Sequence, residues 1–495
     1  MRMVCDSAVY FQSTKSFEAF GRVRITEGDT LSMRGDRLYY DGQRQTSYMK
    51  SNKGEVEVRH HQRYLYSDSL FYDAANKFMT YTTGGKLVDG DNVLTSNYGE
   101  YYTDTHQAIF RWQVHLTNPK QELVSDELHY NTQTKLAKVK GNSNIFSGDY
   151  NIFTTDGSYK TTDDVVELFQ RSTLNNPVRQ LHMEADRVFY NKQTGMMRAT
   201  GNVICVDSKN KAILNGEECE YHEDRASATD SSYVTGRALV KDYSNGNDTL
   251  FVHADTMRLF SYHVRTDSMY RLVKGYHHVR AYRTDVQAVG DSLIYNNKVS
   301  CISLYRDPIV WADNRQVLGE EIHVFTNDST VDSVYVREQA LMVERLDSVH
   351  YNQLSGRLMR AYFRDGEMVR GAADGNACMI AFPLEKDSTI LYHNYMESAK
   401  MRMQMENRKL KRFVGFPSPT AECFPLGMAP PERTYLPSFA WFDYIRPQSQ
   451  YDLFDWRPKK SDKVLRTTPR RQTPLQHLSQ FTQQQKKEQV PSSHE

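Results

Sequence analysis

The heptapeptide SDSLFYD, residues 67–73, decides how this chain reads. Asp68, Leu70 and Tyr72 stand at alternate positions, with Ser69 and Phe71 between them. A period of two sends the two sets of side chains to opposite faces of an extended strand. The phrase returns as CDSAVYF from 5, GDRLYYD from 35, SDELHYN from 125, ADRVFYN from 185, GDSLIYN from 290 and LDSVHYN from 346. Looser copies stand between them: SNYGEYY from 96, TDGSYKT from 155, GEECEYH from 216, ADTMRLF from 254 and GEEIHVF from 319. Copies begin about 27 to 38 residues apart, a period that signals stacked repeats rather than several unlike domains. The runs after the aromatic, DAANK at 73–77, NTQTK at 131–135 and NKQTG at 191–195, read as hairpin connections.

A second phrase, Gly-x-apolar-x-apolar, follows many copies: GRVRI at 21–25, GEVEV at 54–58, GNVIC at 201–205, GRALV at 236–240 and a weaker GNSNI at 141–145. Its glycine is expected at a strand start or bend, where a side chain would obstruct. WQVHL at 112–116 keeps the apolar phase with Trp112 in the glycine place, and at 300–310 the phrase is absent. Each repeat is thus two or three short strands. One repeat cannot bury its apolar face alone, so neighbours stack. The expected fold is all-β: an elongated antiparallel β-jellyroll or solenoid of repeats of ~30 residues.

Composition agrees. Mean hydropathy is −0.68, low for a globule of 495 residues, yet aromatics reach 12% with 32 Tyr. A polar chain rich in Tyr and Val fits thin β-structure with one wet face, whereas disordered chains lack aromatics. Net charge is +1, so no global field points to nucleic acid. The six cysteines (Cys5, Cys205, Cys219, Cys301, Cys378 and Cys423) are scattered without a CxxC, which argues against zinc or a redox dithiol and for free thiols. Cys205 and Cys219 can face each other on adjoining strands. No window approaches the ~20 apolar residues of a transmembrane helix. No leader is visible either, and the chain opens inside a motif copy, so the true start is expected upstream.

The recurring acid, best seen in Asp68, Asp126, Asp186 and Asp291, invites comparison with glycosidase carboxylates. A catalytic pair occurs once, however, while this acid recurs with the repeat. It is read as a strand-start side chain accepting backbone N–H bonds. His60–His61 and His277–His278 are adjacent, so on a strand each pair splits between opposite faces and does not chelate one metal. No P-loop, GxGxxG, GxSxG or HExxH is present. No catalytic residue, metal site or cofactor is expected.

The pattern changes near 378. The division expected is a repeat array over 1–377, a transition and amphipathic helix over 378–415, a Pro/aromatic extended segment over 416–456 and a disordered basic, Gln-rich tail over 457–495. The helix is expected over 394–413, with Tyr395, Ala399, Met401, Met405 and Leu410 on one stripe. The segment with seven prolines after it is expected to lie along another surface.

The S/A/G-D-x-L-x-Y-D/N phrases at 67–73, 125–131, 185–191 and 290–296, with G-x-V at 21–23, 54–56 and 201–203, resemble the OstA-like repeat of the LptA family of lipopolysaccharide-transport proteins. That family includes the periplasmic N-terminal domain of LptD. The resemblance covers roughly residues 5–350, and the chain looks closest to the long OstA-like proteins. It implies a jellyroll of V-shaped section whose two sheets enclose an apolar groove. The groove-lining set is then Leu38, Tyr40, Leu70, Tyr72, Leu128, Tyr130, Val188, Tyr190, Leu293 and Tyr295, with Val23, Ile25, Val56, Val58 and Val203 from the partner strands. The tyrosine hydroxyls are expected near the mouth, where an apolar ring and a polar tip both find their medium. The implied role is a non-enzymatic periplasmic conduit for lipopolysaccharide or a related glycolipid. Its partners are other β-jellyroll transport proteins, or further copies of itself, through edge-strand pairing. Two other classes stay open: a dry solenoid acting as an envelope-assembly scaffold, and a polysaccharide lyase or hydrolase on a β-helix.

Overall fold

The computed structural model describes residues 2–459 apart from 53, 225, 245, 247, 265, 328, 329, 386 and 408. Among the described residues there are 38 strands and three short 3-10 turns, and the strand pairings are antiparallel. The chain forms two compact units: Met1–Asn210 with Glu217–His222, and Lys211–Gly216 with Glu223–Glu495.

In the first unit each long strand serves two ladders. Leu31–Asp41 pairs through its first half with Val56–His60 and through its second half with Thr46–Lys50. Ser16–Glu27 and Gln107–Asn118 do the same, Leu136–Ser147 runs between two strands nearly as long as itself, and the register of the three breaks at Phe20/Val23, Arg111/Val114 and Lys140/Ser143. The breaks coincide with left-handed backbone: Gly21 and Arg22 at φ +72° and +44°, Trp112 and Gln113 at +63° and +56°, and Gly141 at +76°. Gly201 and Asn202, at +78° and +45°, form the same corner in Met196–Asp207. The Gly-x at 21, 141 and 201 is therefore a corner that turns the strand from one wall to the other, as bulges do at barrel rims, whereas Gly54 lies between two strands without a left-handed φ. Trp112 accepts the same conformation with its ring outside, 61% exposed.

The recurring acid pins these corners. Arg22 donates to Asp6 at 2.7 Å, the Asn142 N–H to Asp126 at 2.8 Å and Asn202 Nδ2 to Asp186 at 2.8 Å. The acid's own N–H also reaches the corner: Asp6 N donates to Gly21 O, and Asp186 N to Gly201 O, both at 3.0 Å. A Cβ at Gly21, Gly141 or Gly201 would stand 2.3, 2.8 or 2.6 Å from a carboxylate oxygen of Asp6, Asp126 or Asp186. Glycine is thus required both by its positive φ and by the carboxylate against it. The second unit keeps the geometry with other residues. His277 and His278 form a left-handed pair held by Asp291 at 3.2 Å and Asp255 at 2.8 Å. Arg306 and Asp307 form another, where the sequence phrase is absent.

Three expectations are corrected. The helix over 394–413 does not form: Tyr392–Glu406 is a strand pairing with Glu367–Ala381, Lys409–Phe416 and Thr420–Pro425. Helix propensity differs by only a few tenths of a kcal/mol among such residues, so backbone bonds to strands on both sides override it. His393, Tyr395 and Met401 are buried, while Ala399 and Leu410 are exposed, so the helical stripe does not exist. The copy at 346–352 is a turn, because Asp347 accepts the N–H groups of Val349 and His350 at 2.8 Å each. Ser69, read as outward-facing, is buried beside the corner.

The Pro/aromatic segment lies against the second unit's own sheet. Leu436, Ala440, Phe442 and Ile445 join one core with Val289, Ile309, Trp311, Leu341, Val343 and Ile380. Two buried glutamines receive its backbone. Gln316 Oε1 accepts from Phe442 N at 2.8 Å and Trp311 Nε1 at 3.1 Å, while Gln316 Nε2 donates to Ala440 O at 2.8 Å. Gln353 Oε1 accepts from Leu436 N at 2.9 Å. Prolines forbid a regular strand here, so side chains fill the space and glutamines replace the missing ladder. The tail lies outside the described residues from Lys460 onward.

Two outcomes follow. Gly201→Ala is expected to cost about 1–3 kcal/mol through left-handed strain, plus the carboxylate clash. Asp186→Ala costs less and relieves that clash, so a double-mutant cycle read by urea denaturation gives a cost below the sum; strict additivity would refute the clamp. Gln316→Leu strands three polar groups at about 1–3 kcal/mol each, and limited proteolysis within 431–459 is expected to accelerate at least about tenfold.

Candidate functional site

The corners divide the first unit into two walls. One is aliphatic. Ile25, Met33, Val58, Leu65, Leu87, Leu94, Leu116, Leu123, Ile145, Ile152, Leu174 and Met183 stand in register across successive strands, and all are buried. The other alternates tyrosine with smaller or flexible residues: Tyr40, Ser47, Tyr72, Met79, Tyr101, Ala108, Tyr130, Ala137, Tyr159, Val166, Tyr190 and Met197. A tyrosine on every second strand leaves rings ~10 Å apart. The residues between them keep each ring upright over the aliphatic wall.

Between walls and corners runs a row of buried hydroxyls: Ser67, Ser96, Ser125, Ser143, Thr154 and Ser172. Each donates to a carbonyl two residues away across the bend, as Ser125 does to Glu127 O at 2.8 Å and Ser172 to Gln170 O at 2.6 Å. These bonds satisfy the carbonyls that the broken register leaves over.

Opposite the corners the slot has a mouth, and polar pairs lace it. Tyr101 Oη meets His60 Nδ1 at 2.9 Å. Tyr130 Oη donates to Asp89 at 3.0 Å, and Asp89 also pairs with Lys135 and Arg63. Tyr159 Oη and Lys120 Nζ both reach Asp164 at 2.9 Å, and Tyr72 Oη reaches Glu27 at 3.5 Å. Lys192 bonds Ser147 across the same gap. Burial, then Glu27, pushes Tyr72 up to about 12; burial and Asp89 push Tyr130 up further. Burial opposes charge on Asp164, but Lys120 and Tyr159 outweigh it and hold the carboxyl below its usual value. These hydroxyls therefore stay protonated donors at neutral pH. The walls meet closely: a cavity against Leu65, Met79, Leu87 and Phe110 holds about 10 Å³, at the threshold for one water.

The residues read from sequence fall on both walls. Val23, Ile25, Val56, Val58 and Val203 lie on the aliphatic side; Leu38, Leu70, Tyr72, Leu128, Tyr130 and Val188 lie on the tyrosine side, and all eleven are buried. Tyr40 and Tyr190 are half-buried. Leu293 and Tyr295 belong to the second unit, buried and half-buried respectively. The mouth partners Glu27, His60, Asp89 and Asp164 were missed by sequence reading. Their signal was weak: Glu27 and Asp89 end strands at the Gly turns Glu27-Gly28-Asp29 and Asp89-Gly90-Asp91. Among the described residues the cysteines are free thiols, no His/Cys/Asp/Glu group is placed to hold a metal, and no helix is long and apolar enough to cross a membrane.

Residues 1–126 match the family model described as OstA-like protein. No curated protein matches the chain. Among solved structures, the chain is similar to LptH from Pseudomonas aeruginosa, described as the LptA-homologous periplasmic component of the lipopolysaccharide transport device. That match has 15% identity and a TM-score of 0.14, over 28% of this chain and 80% of that one.

The mouth carries its own pH dependence. Burial, then the charges of His61, His106 and Arg63, lowers His60 from 6.5 to about 4. The unfolded chain therefore takes up this proton first, so stability held above pH 6.5 is lost as pH falls toward 4. Hydrogen-exchange protection of strands Val56–His60 and Tyr98–Tyr102 is expected to drop across that window in the wild type, and His60→Gln is expected to flatten the drop.

Proposed function

We propose that this chain, OstA-like over its first 126 residues, is a non-enzymatic periplasmic conduit that holds the acyl chains of lipopolysaccharide or a related glycolipid between its two walls. The observation that carries this reading is the pair of continuous ladders, one aliphatic and one tyrosine-bearing, closed along one side by corners and along the other by polar pairs that can exchange partners with water or sugar. No bond is made or broken. The wall repeats the same chemistry from rung to rung, so a lipid meets no preferred stop, and its sugar head stays in solvent.

Magnitudes favour exchange. Each polar pair at the mouth contributes about 0.5–1.5 kcal/mol net. Burying one acyl chain of ten methylenes contributes about 8 kcal/mol. A lipid thus offsets the opening of several mouth pairs, with the walls swinging on the corners. Asp6, Asp126, Asp186 and Asp291 are engaged at corners, which favours a fold role over hydrolysis for these carboxylates. The strand Ser7–Phe11 exposes Val9, Tyr10 and Phe11 and, among the described residues, pairs on one side only, with Ser16–Glu27. Such an edge fits a further strand, from upstream of this sequence, from another β-jellyroll or from a further copy of this chain.

A photo-crosslinking residue at Leu70 or Val188 is expected to label glycolipid, while one at the exposed Tyr48 is not. Tyr72→Phe with Tyr130→Phe unlaces the mouth and is expected to speed labelling several-fold. Labelling only at Tyr48, or none at interior positions in any variant, would leave a dry scaffold instead.

A further inference from the structure

We infer that the second unit carries a separate site for the phosphate-bearing headgroup of such a glycolipid; this rests on the conduit reading above. Five adjacent strands, from Thr330–Arg345 to Lys409–Phe416, flank a cavity of about 750 Å³. Two rungs cross it in register. One runs Tyr335, Arg360, Ala372, Arg402, Val414; the next runs Ser333, Tyr362, Arg370, Gln404, Arg412. Arginine therefore stands on alternate strands in both rungs, and Ala372 separates Arg360 from Arg402.

The charge is unbalanced. Arg360 and Arg402 share the one carboxylate of Asp374, each at 2.7 Å. Arg370 and Arg412 have no carboxylate partner among the described residues. Among the described residues, Asp332 is the one acid on the cavity wall against four guanidiniums. Arg370 lies over the Tyr362 ring at 5.1 Å and Arg402 over Phe416 at 5.6 Å. Rings that hold the planar groups flat leave the N–H forks at their edges for an incoming oxyanion. Like charges ~10 Å apart in a recess repel one another, and a bound polyanion removes that cost.

Size and lining define the ligand further. A cavity of this volume suits a molecule far larger than one phosphate. Tyr335, Met403 and Val414 add apolar surface beside the guanidiniums. Phosphates on a sugar, with the first methylenes of its acyl chains, meet both requirements.

The test uses the full chain and two fluorescent probes, a bis-phosphorylated acylated disaccharide and its dephosphorylated counterpart. Arg370→Gln with Arg412→Gln changes two exposed side chains outside the ion pairs with Asp374, so the fold is expected to persist. Affinity for the phosphorylated probe is expected to fall at least about tenfold in this variant, since charge-assisted bonds are lost. The dephosphorylated probe is expected to bind both proteins alike, more weakly than the phosphorylated probe binds the wild type. Equal binding of the phosphorylated probe by variant and wild type would overturn the site. Displacement of the probe by inorganic pyrophosphate at the probe's own affinity would assign a small polyanion and overturn the glycolipid. Interior labelling from Leu70 and Val188 that persists while the arginine effect is absent removes this site and leaves the slot. Absence of that labelling in the wild type removes the slot, whatever the arginines do.

Discussion

Left-handed residues turn Ser16–Glu27, Gln107–Asn118, Leu136–Ser147 and Met196–Asp207, with a carboxylate against the corner in all but Gln107–Asn118, where Asn97 takes its place, and the rest of the first unit depends on that turn. Without it, Gln107–Asn118 or Leu136–Ser147 would run on as one flat strand with no enclosed side. With it, one half joins an aliphatic ladder and the other a tyrosine ladder. The carboxylate satisfies the corner's donors, the glycine gives the carboxylate room, and serine and threonine hydroxyls cap the leftover carbonyls. Each element makes the next possible, which explains why Asp and Gly recur together at the repeat's period.

The walls then obey opposite demands at their two ends. Near the corner, small hydroxyl-bearing and glycine residues let the walls converge; Gly85 and Gly99 lie so close to Tyr81 that a Cβ at either would touch its ring. At the mouth, tyrosine reaches across while its ring stays in the apolar layer. Burial keeps those phenols protonated, so they donate to Glu27, Asp89 and Asp164 and hold the slot shut without charge of their own. The second unit meets the same need to cover an apolar face differently: its C-terminal segment lies on the sheet, held by Gln316 and Gln353. A chain segment there occupies the kind of surface that faces a second wall in the first unit.

The strand repeat was legible because alternation in SDSLFYD survives every substitution that keeps its period. The burial of Leu38, Leu70, Leu128 and Val188 on one face was legible for the same reason. The helix over 394–413 was misread because Met, Lys and Glu favour helices locally, whereas pairing with strands on both sides, some partners more than 30 residues away, decides the outcome. The mouth was illegible because Glu27, His60, Asp89 and Asp164 belong to no phrase; the first three matter through tyrosines 40 or so positions away, as with Asp89 and Tyr130, and Asp164 through Tyr159 five positions before it and Lys120 44 before it.

By itself the sequence determined the class, the period and the face of each rung, since these follow from side-chain alternation and turn chemistry along the chain. It also pointed to a fold role for the acid, because the position recurs with the strand phrase, and Asp6, Asp126 and Asp186 stand against the corners. Only the tertiary structure decided that the glycine expected at a strand start or bend marks a corner, that tyrosine-borne polar pairs bridge the two walls opposite the corners, and that the C-terminal segment covers the second sheet. Those facts depend on which distant strands meet, and backbone pairing across space is not written in any local run of residues.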